Sequence, residues 1–164
     1  ASPGSNLIGL RGDVVENGAL RFFRRFAEGE LDEDDLRRCV ERLKDFVENL
    51  SPKLGRPPLA IGYSNGANLA AAALFLFPSL LAGAALLRAV APFRDMPAAV
   101  LEGRPVLMLS GSHDAVIDAE RTRRLEAELA HARAAVDHRW LDADHDLSDL
   151  DRVELHRWLA AANA

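Results

Sequence analysis

The chain has 164 residues, enough for one domain, here taken as a single domain over residues 1–164. Its 49% apolar and 27% charged residues place it with ordinary globular proteins rather than disordered or fibrous ones. A net charge of −5, with the arginines interleaved among acids, offers no basic face for nucleic acid, and no apolar run approaches the ~20 residues that span a bilayer.

Residues 6–10 are short and apolar enough to form a strand, and they run into a loop at 11–17 punctuated by Gly12 and Gly18. The stretch 21–26 mixes aromatic and basic side chains without helix or strand periodicity. The first helix starts at Asp32, a good N-cap, with Glu33, Asp34 and Asp35 in its first turn and Leu31 able to staple onto Leu36. Leu36, Cys39, Val40, Leu43, Phe46, Val47 and Leu50 then recur at helical spacing, and Pro52 is expected to close the helix. Cys39 lies on that apolar face, so it reads as a packed thiol. One cysteine cannot form an internal disulfide, which suits a reducing, cytoplasmic location.

Beyond Pro52, strand and helix alternate. Strands are expected at 59–63, 84–87, 106–110 and 136–141, with helices at 67–76, from a cap at Asp118 to about 132, and from a cap at Ser148 to about 162. Short, fully apolar strands separated by helices predict a mostly parallel sheet buried on both faces. The class is α/β.

In such sheets the chemistry collects where strands end at their carboxyl edge. The first such end carries Gly62-Tyr63-Ser64-Asn65-Gly66, a G-x-S-x-G sequence between a strand and a helix. On that sharp turn a serine hydroxyl is exposed above the sheet, and this placement separates the motif from an ordinary turn that contains a serine. A serine needs a base to take its proton and a carboxylate to orient the base. Asp114 follows the strand ending at Ser110, and His145 follows the last strand, in the order serine, acid, histidine. Rival histidines fit less well. His131 and His156 fall on helices, His138 falls inside a strand, and His113 stands beside the acid. Asp118 reads as a helix cap, and Asp95 precedes a proline turn. The cluster Asp142, Asp144, His145 and Asp146 is the one candidate metal site, but it lacks a second spaced group of ligands.

The run from Arg11-Gly12-Asp13 through Glu16-Asn17-Gly18, the segment Arg21-Phe22-Phe23-Arg24-Arg25, and the Gly62 to Asn68 motif resemble the bacterial phospholipase/carboxylesterase group of α/β-hydrolases, with its dienelactone-hydrolase and hydroquinone-linked relatives. The likeness continues through Leu87-Arg88 with Pro92, the Gly111 to Asp114 turn and the His145 loop. It implies an α/β-hydrolase fold and a cofactor-free serine esterase without a metal, acting on small or medium esters and often dimeric. Carried over residue by residue, it gives Ser64, Asp114 and His145 as the triad and the Asn65 backbone N–H as an oxyanion donor. Among the aromatic residues, Phe22, Phe23 and Phe26 are candidates for lining the substrate pocket, with packing over the sheet edge as the other reading.

The sequence departs from that group at three places. Leu10 replaces a proline and Asp144 replaces a glycine. The group also has strands ahead of the position of residue 6, one ending in a His-Gly-rich loop that supplies a second oxyanion N–H, and nothing here matches them. The chain is therefore expected to be the larger, C-terminal part of the domain. Upstream residues, a second chain or residues 6–10 would then lie beside 59–63. A catalytically impaired domain that binds a ligand or partner through the same pocket is the alternative function.

Overall fold

The computed structural model describes residues 6–16, 18–27 and 29–162. Two small antiparallel hairpins open the chain. The first joins β1 (Val14–Glu16) to β2 (Ala19–Arg21), and the second joins β3 (Arg25–Ala27) to β4 (Glu30–Leu31). Residues 6–10 form no strand, contrary to the expectation, and Leu7, Ile8 and Leu10 are exposed. An apolar run becomes a strand only where a neighbouring edge takes up its backbone groups, and none does so here. The loop expected at 11–17 holds for residues 11–13, but Val14–Glu16 form the first arm of a hairpin, and Asn17 lies outside the described residues.

Helix α1 (Glu33–Leu54) starts as its sequence dictates. The Asp32 carboxylate accepts the Asp35 N–H at 2.9 Å, and three acids sit in the positive first turn. Leu31 packs against the core that contains Leu36. The helix runs two residues past Pro52, so the proline does not close it. A proline so near the C-terminus removes one N–H from a turn that is about to end, which costs far less than in mid-helix.

The remaining elements are β5 (Leu59–Tyr63), α2 (Asn65–Leu76), β6 (Gly83–Leu87), β7 (Pro105–Gly111), α3 (Ala119–His131), β8 (Ala135–Leu141) and α4 (Asp149–Ala162). The strands form one parallel sheet, as the alternation predicts, and their order is β5-β6-β7-β8. Helices α1, α2 and α3 contribute to the larger apolar cluster on one face, around Ala84, Leu86, Val106 and Met108. On the other face α4 packs Leu155, Trp158 and Leu159 against Ala85, Leu87, Leu107 and Leu109. Helix α2 is apolar all round because it is covered twice, by β5 and β6 below and α1 above. Each fully buried leucine in these layers contributes ~1.5–3 kcal/mol.

Among the described residues β5 pairs only with β6, and Ile61 at its middle is 47% exposed. Residues 6–10 do not move in beside it. No described helix is long and apolar enough to cross a membrane.

Candidate active site

Each strand of the sheet ends in a residue that takes part in one polar constellation. Ser64 follows β5, Arg88 follows β6, Asp114 lies in the loop after β7, and His145 lies in the loop after β8. The loops continue the ladder past the strand ends: the N–H groups of Ser64, Arg88 and Ser112 each donate at 2.8 Å, to the carbonyls of Leu87, Leu109 and Leu141.

Ser64 adopts φ 49° and ψ −112°, a conformation that side chains rarely take, at the turn into α2. Such a tight reversal needs Gly62, since a Cβ there would lie 2.5 Å from the Gly66 carbonyl oxygen. The Ser64 Oγ is 3.1 Å from His145 Nε2, and His145 Nδ1 is 2.9 Å from Asp114 Oδ2. The carboxylate can only accept, so Nδ1 carries a proton, and Nε2 is left to accept from the serine hydroxyl. Asp114 is fixed from behind: its Oδ1 accepts the N–H groups of Val116 and Ile117 at 2.8 and 2.9 Å.

The histidine loop is held by its own backbone. Arg88 donates from Nε to the Asp144 carbonyl at 2.9 Å and from Nη2 to the Asp146 carbonyl at 3.2 Å. Tyr63 Oη donates to the carbonyl between them, that of His145, at 3.0 Å. Burial, and then the nearby carboxylates led by Asp146, push the Tyr63 phenol up, so it stays protonated as this bond requires. Arg88 is 1% exposed and forms a two-pronged pair with Asp151 of α4, at 2.7 and 2.9 Å. Burial alone would raise the Asp151 carboxyl, but the bonds from Arg88 and Ser148 outweigh it and hold it below its ordinary 3.8. Gly111 completes the junction, because a Cβ there would lie 2.4 Å from the Asp144 carbonyl oxygen.

The other candidates lie elsewhere. His113 turns outward to Asp142 at 2.8 Å, both side chains well exposed. Asp144 accepts the Asp146 N–H at 3.0 Å. Asp118 caps α3 by accepting the Glu120 N–H. Among the described residues no three His, Cys, Asp or Glu side chains are grouped as metal ligands would be. Phe23 is fully buried in the main core, and Phe22 packs against that core and faces Gly66. Both backbones are tied to the Asn65 side chain, which accepts the Phe22 N–H at 2.8 Å and donates to the Phe23 carbonyl at 3.3 Å. The cavity of about 570 Å³ beside Ser64 and His145 is lined instead by Leu31, Val90, Val116, Ile117 and three arginines. Cys39 is buried, as its place on the apolar face of α1 predicts, and burial raises its thiol.

A second serine–histidine–carboxylate row runs beneath α3. Ser110 Oγ is 3.0 Å from His138 Nε2, and His138 Nδ1 is 2.9 Å from Glu126 Oε2. Here the serine sits within regular strand β7, and both its side chain and that of His138 are buried.

No family model matches the chain. It is 35% identical over 164 residues to the Bacillus subtilis (strain 168) protein named "Putative hydrolase MhqD", covering 98% of this chain and 82% of that one. The crystal structure of the Bacillus cereus carboxylesterase superposes with a TM-score of 0.83 at 35% identity, over 92% of this chain and 73% of that one. The carboxylesterase from Mesorhizobium loti does so with a TM-score of 0.85 at 27% identity, again over 92% and 73%. This degree of identity over most of both chains, on a shared parallel sheet, shows that the chain belongs to the carboxylesterase group of the α/β-hydrolase superfamily.

Proposed function

We propose that the chain cleaves small carboxylic esters with Ser64 as nucleophile, His145 as general base and Asp114 as the group that orients it. The observation that supports this reading is the row Asp114–His145–Ser64, with both links within hydrogen-bonding distance and the serine at the strained entrance to a helix. In this reading Ser64 Oγ attacks the acyl carbon while His145 Nε2 takes the hydroxyl proton. The oxyanion that forms lies at the N-terminus of α2, where the Asn65 N–H and the positive end of the helix dipole offset its charge. His145 then returns the proton to the alcohol as the ester bond breaks. Water, deprotonated in turn by His145, hydrolyses the acyl-serine and releases the acid.

Of the two serine–histidine rows, this one has the means to do chemistry. Ser64 borders a cavity and begins a helix, whereas Ser110 lies inside a strand beneath α3. The reading is tested by hydrolysis of 4-nitrophenyl butyrate. Ser64→Ala is expected to lower kcat by about 10⁴-fold or more, as the loss of a triad nucleophile does. Ser110→Ala should retain most of the wild-type rate. The opposite ranking would exclude the proposed nucleophile.

A further inference from the structure

Among the buried residues of helix α2 one side chain is polar, that of Asn68, which is 4% exposed. Its backbone N–H donates to the Ser64 carbonyl at 3.0 Å, so Asn68 stands one turn along the helix from the serine, about 6 Å further on. Its Oδ1 accepts the Val90 N–H at 2.9 Å, which ties α2 to the segment after β6 and turns Nδ2 away from Val90. Among the described residues Nδ2 has no hydrogen-bond partner, yet it is not sealed from solvent as a buried orphan would be. Asn68 borders the cavity beside Ser64 and His145, and its two N–H donors open there. A side chain that only accepts from Val90 has no use for them. Buried amides are nearly always paired, so an unpaired donor turned into a cavity marks a place for an acceptor. The other groups in this wall are already committed. Asn65 uses both ends of its amide, on the Phe22 N–H and the Phe23 carbonyl. Glu16 lies 2.6 Å from Arg25 and 3.3 Å from Arg21, and Asp118 and Glu33 act on Arg121. Leu31, Val90, Val116 and Ile117 supply apolar surface. Asn68 is thus a neutral donor in a wall that is otherwise charge-matched or apolar.

We propose that Asn68 selects esters carrying an uncharged acceptor oxygen (an ether, hydroxyl or second carbonyl), to which its Nδ2 donates while the scissile carbonyl lies at Ser64. With the donor one helical turn from the serine, the acceptor belongs about three or four bonds from the acyl carbon, on the acyl or the alcohol side. A plain alkyl ester of equal size covers the donor without pairing it, and the site discriminates against that ester accordingly. This specificity rests on the ester-cleaving reading of Ser64.

The experiment compares esters in which one methylene is exchanged for oxygen. On the acyl side the pair is 4-nitrophenyl 3-methoxypropanoate and 4-nitrophenyl pentanoate; on the alcohol side it is 2-methoxyethyl butyrate and butyl butyrate. Each kcat/KM is divided by the ester's rate of alkaline hydrolysis, which removes the intrinsic effect of the oxygen. The wild type is expected to favour the ether by about fivefold in one pair, the effect of one neutral hydrogen bond, and the responding pair shows which side of the ester meets Asn68. Asn68→Leu should abolish that preference. It also removes the Val90 bond, but a purely structural loss slows both members of a pair alike and leaves their ratio unchanged. No ether preference in either pair would overturn the proposal, as would one that persists in Asn68→Leu. Should that variant not fold, Asn68→Asp assayed at about pH 8 keeps an acceptor for the Val90 N–H and lacks the donor. Loss of the preference there supports the proposal, and its survival overturns it. If the wild type cleaves none of the four esters, the reading of Ser64 fails separately, and NMR titration with 4-methoxybutan-2-one and 2-hexanone decides the role of Asn68. Tighter binding of the methoxy ketone that Asn68→Leu removes supports the proposal, and equal or weaker binding overturns it.

Discussion

Asp114 divides its two oxygens between two tasks, and this division makes its role testable. Oδ1 holds the Val116 and Ile117 N–H groups and Oδ2 faces His145 Nδ1. An Asp114→Asn side chain can keep the backbone bonds through its oxygen. Its amide then meets the imidazole with a donor and stabilises the wrong tautomer. A fall of about 10⁴ in kcat for ester hydrolysis is expected, as for other triads so altered. His145→Ala should abolish measurable cleavage, whereas His113→Ala, whose ring is exposed and bound to Asp142, should leave most of it. Steady-state rates for the three variants check this, and a normal rate for His145→Ala would mean that the base is another group. These residues were legible in the sequence because each lies a few positions beyond a strand, and because a serine between Gly62 and Gly66 has few structural reasons to sit there. Arg88 was not. It stands at the end of an apolar strand with no local sign of burial, and its partners Asp144, Asp146 and Asp151 lie 56 to 63 residues further on.

At the level of elements, the ends of four strands act as one unit through Arg88 and Tyr63. Between them the two side chains hold the three successive carbonyls of Asp144, His145 and Asp146, and Asp151 fixes the arginine in turn. Arg88→Met keeps the apolar stem of the side chain and removes every bond that the guanidinium makes. It also leaves Asp151 buried without its partner, which typically costs ~3–5 kcal/mol. In the fraction that stays folded, kcat should drop by about 10²-fold with little change in KM, the effect of a catalytic group displaced by about 1 Å. Urea unfolding and kinetics normalised to folded protein separate the two effects. An unchanged kcat per folded molecule would limit Arg88 to holding the fold together. The elements themselves were readable from β5 onward because short apolar strands rich in leucine and alanine alternate with helices, one of them marked by the cap at Asp118. The N-terminal hairpins were not, since strands of two or three residues are too short to show a period of two. Residues 6–10 have a strand-like composition and lack a neighbouring edge, which composition does not reveal.

For the whole molecule, two buried carboxylates tie stability to pH. Burial opposes ionisation of Asp35, but the Arg24 N–H and the Arg38 and Arg24 guanidinium groups outweigh it, and its carboxyl is held below 3.8. Asp151 is depressed in the same sense by Arg88 and Ser148. A carboxyl with a lower value in the folded state contributes stability above its unfolded value and loses that contribution as pH falls through the folded one. The protein is therefore expected to lose stability progressively below about pH 4, where unfolded carboxyls begin to bind protons. Asp151→Asn should be less stable at neutral pH and show a flatter acid limb in urea unfolding followed across pH. An acid limb as steep as the wild type's would mean that other groups set it. The parallel sheet and its two covered faces were also legible, because parallel strands need helical crossovers. What lies along the outer edge of β5 was not legible, since Ile61 has the same apolar character whether a strand covers it or not. The central claim, that Ser64 is the nucleophile, is tested most directly by labelling the folded protein with a fluorophosphonate and mapping the modified peptide. One adduct, on Ser64 and absent in Ser64→Ala, is the predicted result; an adduct on Ser110 or any other residue, or none at all, would contradict it.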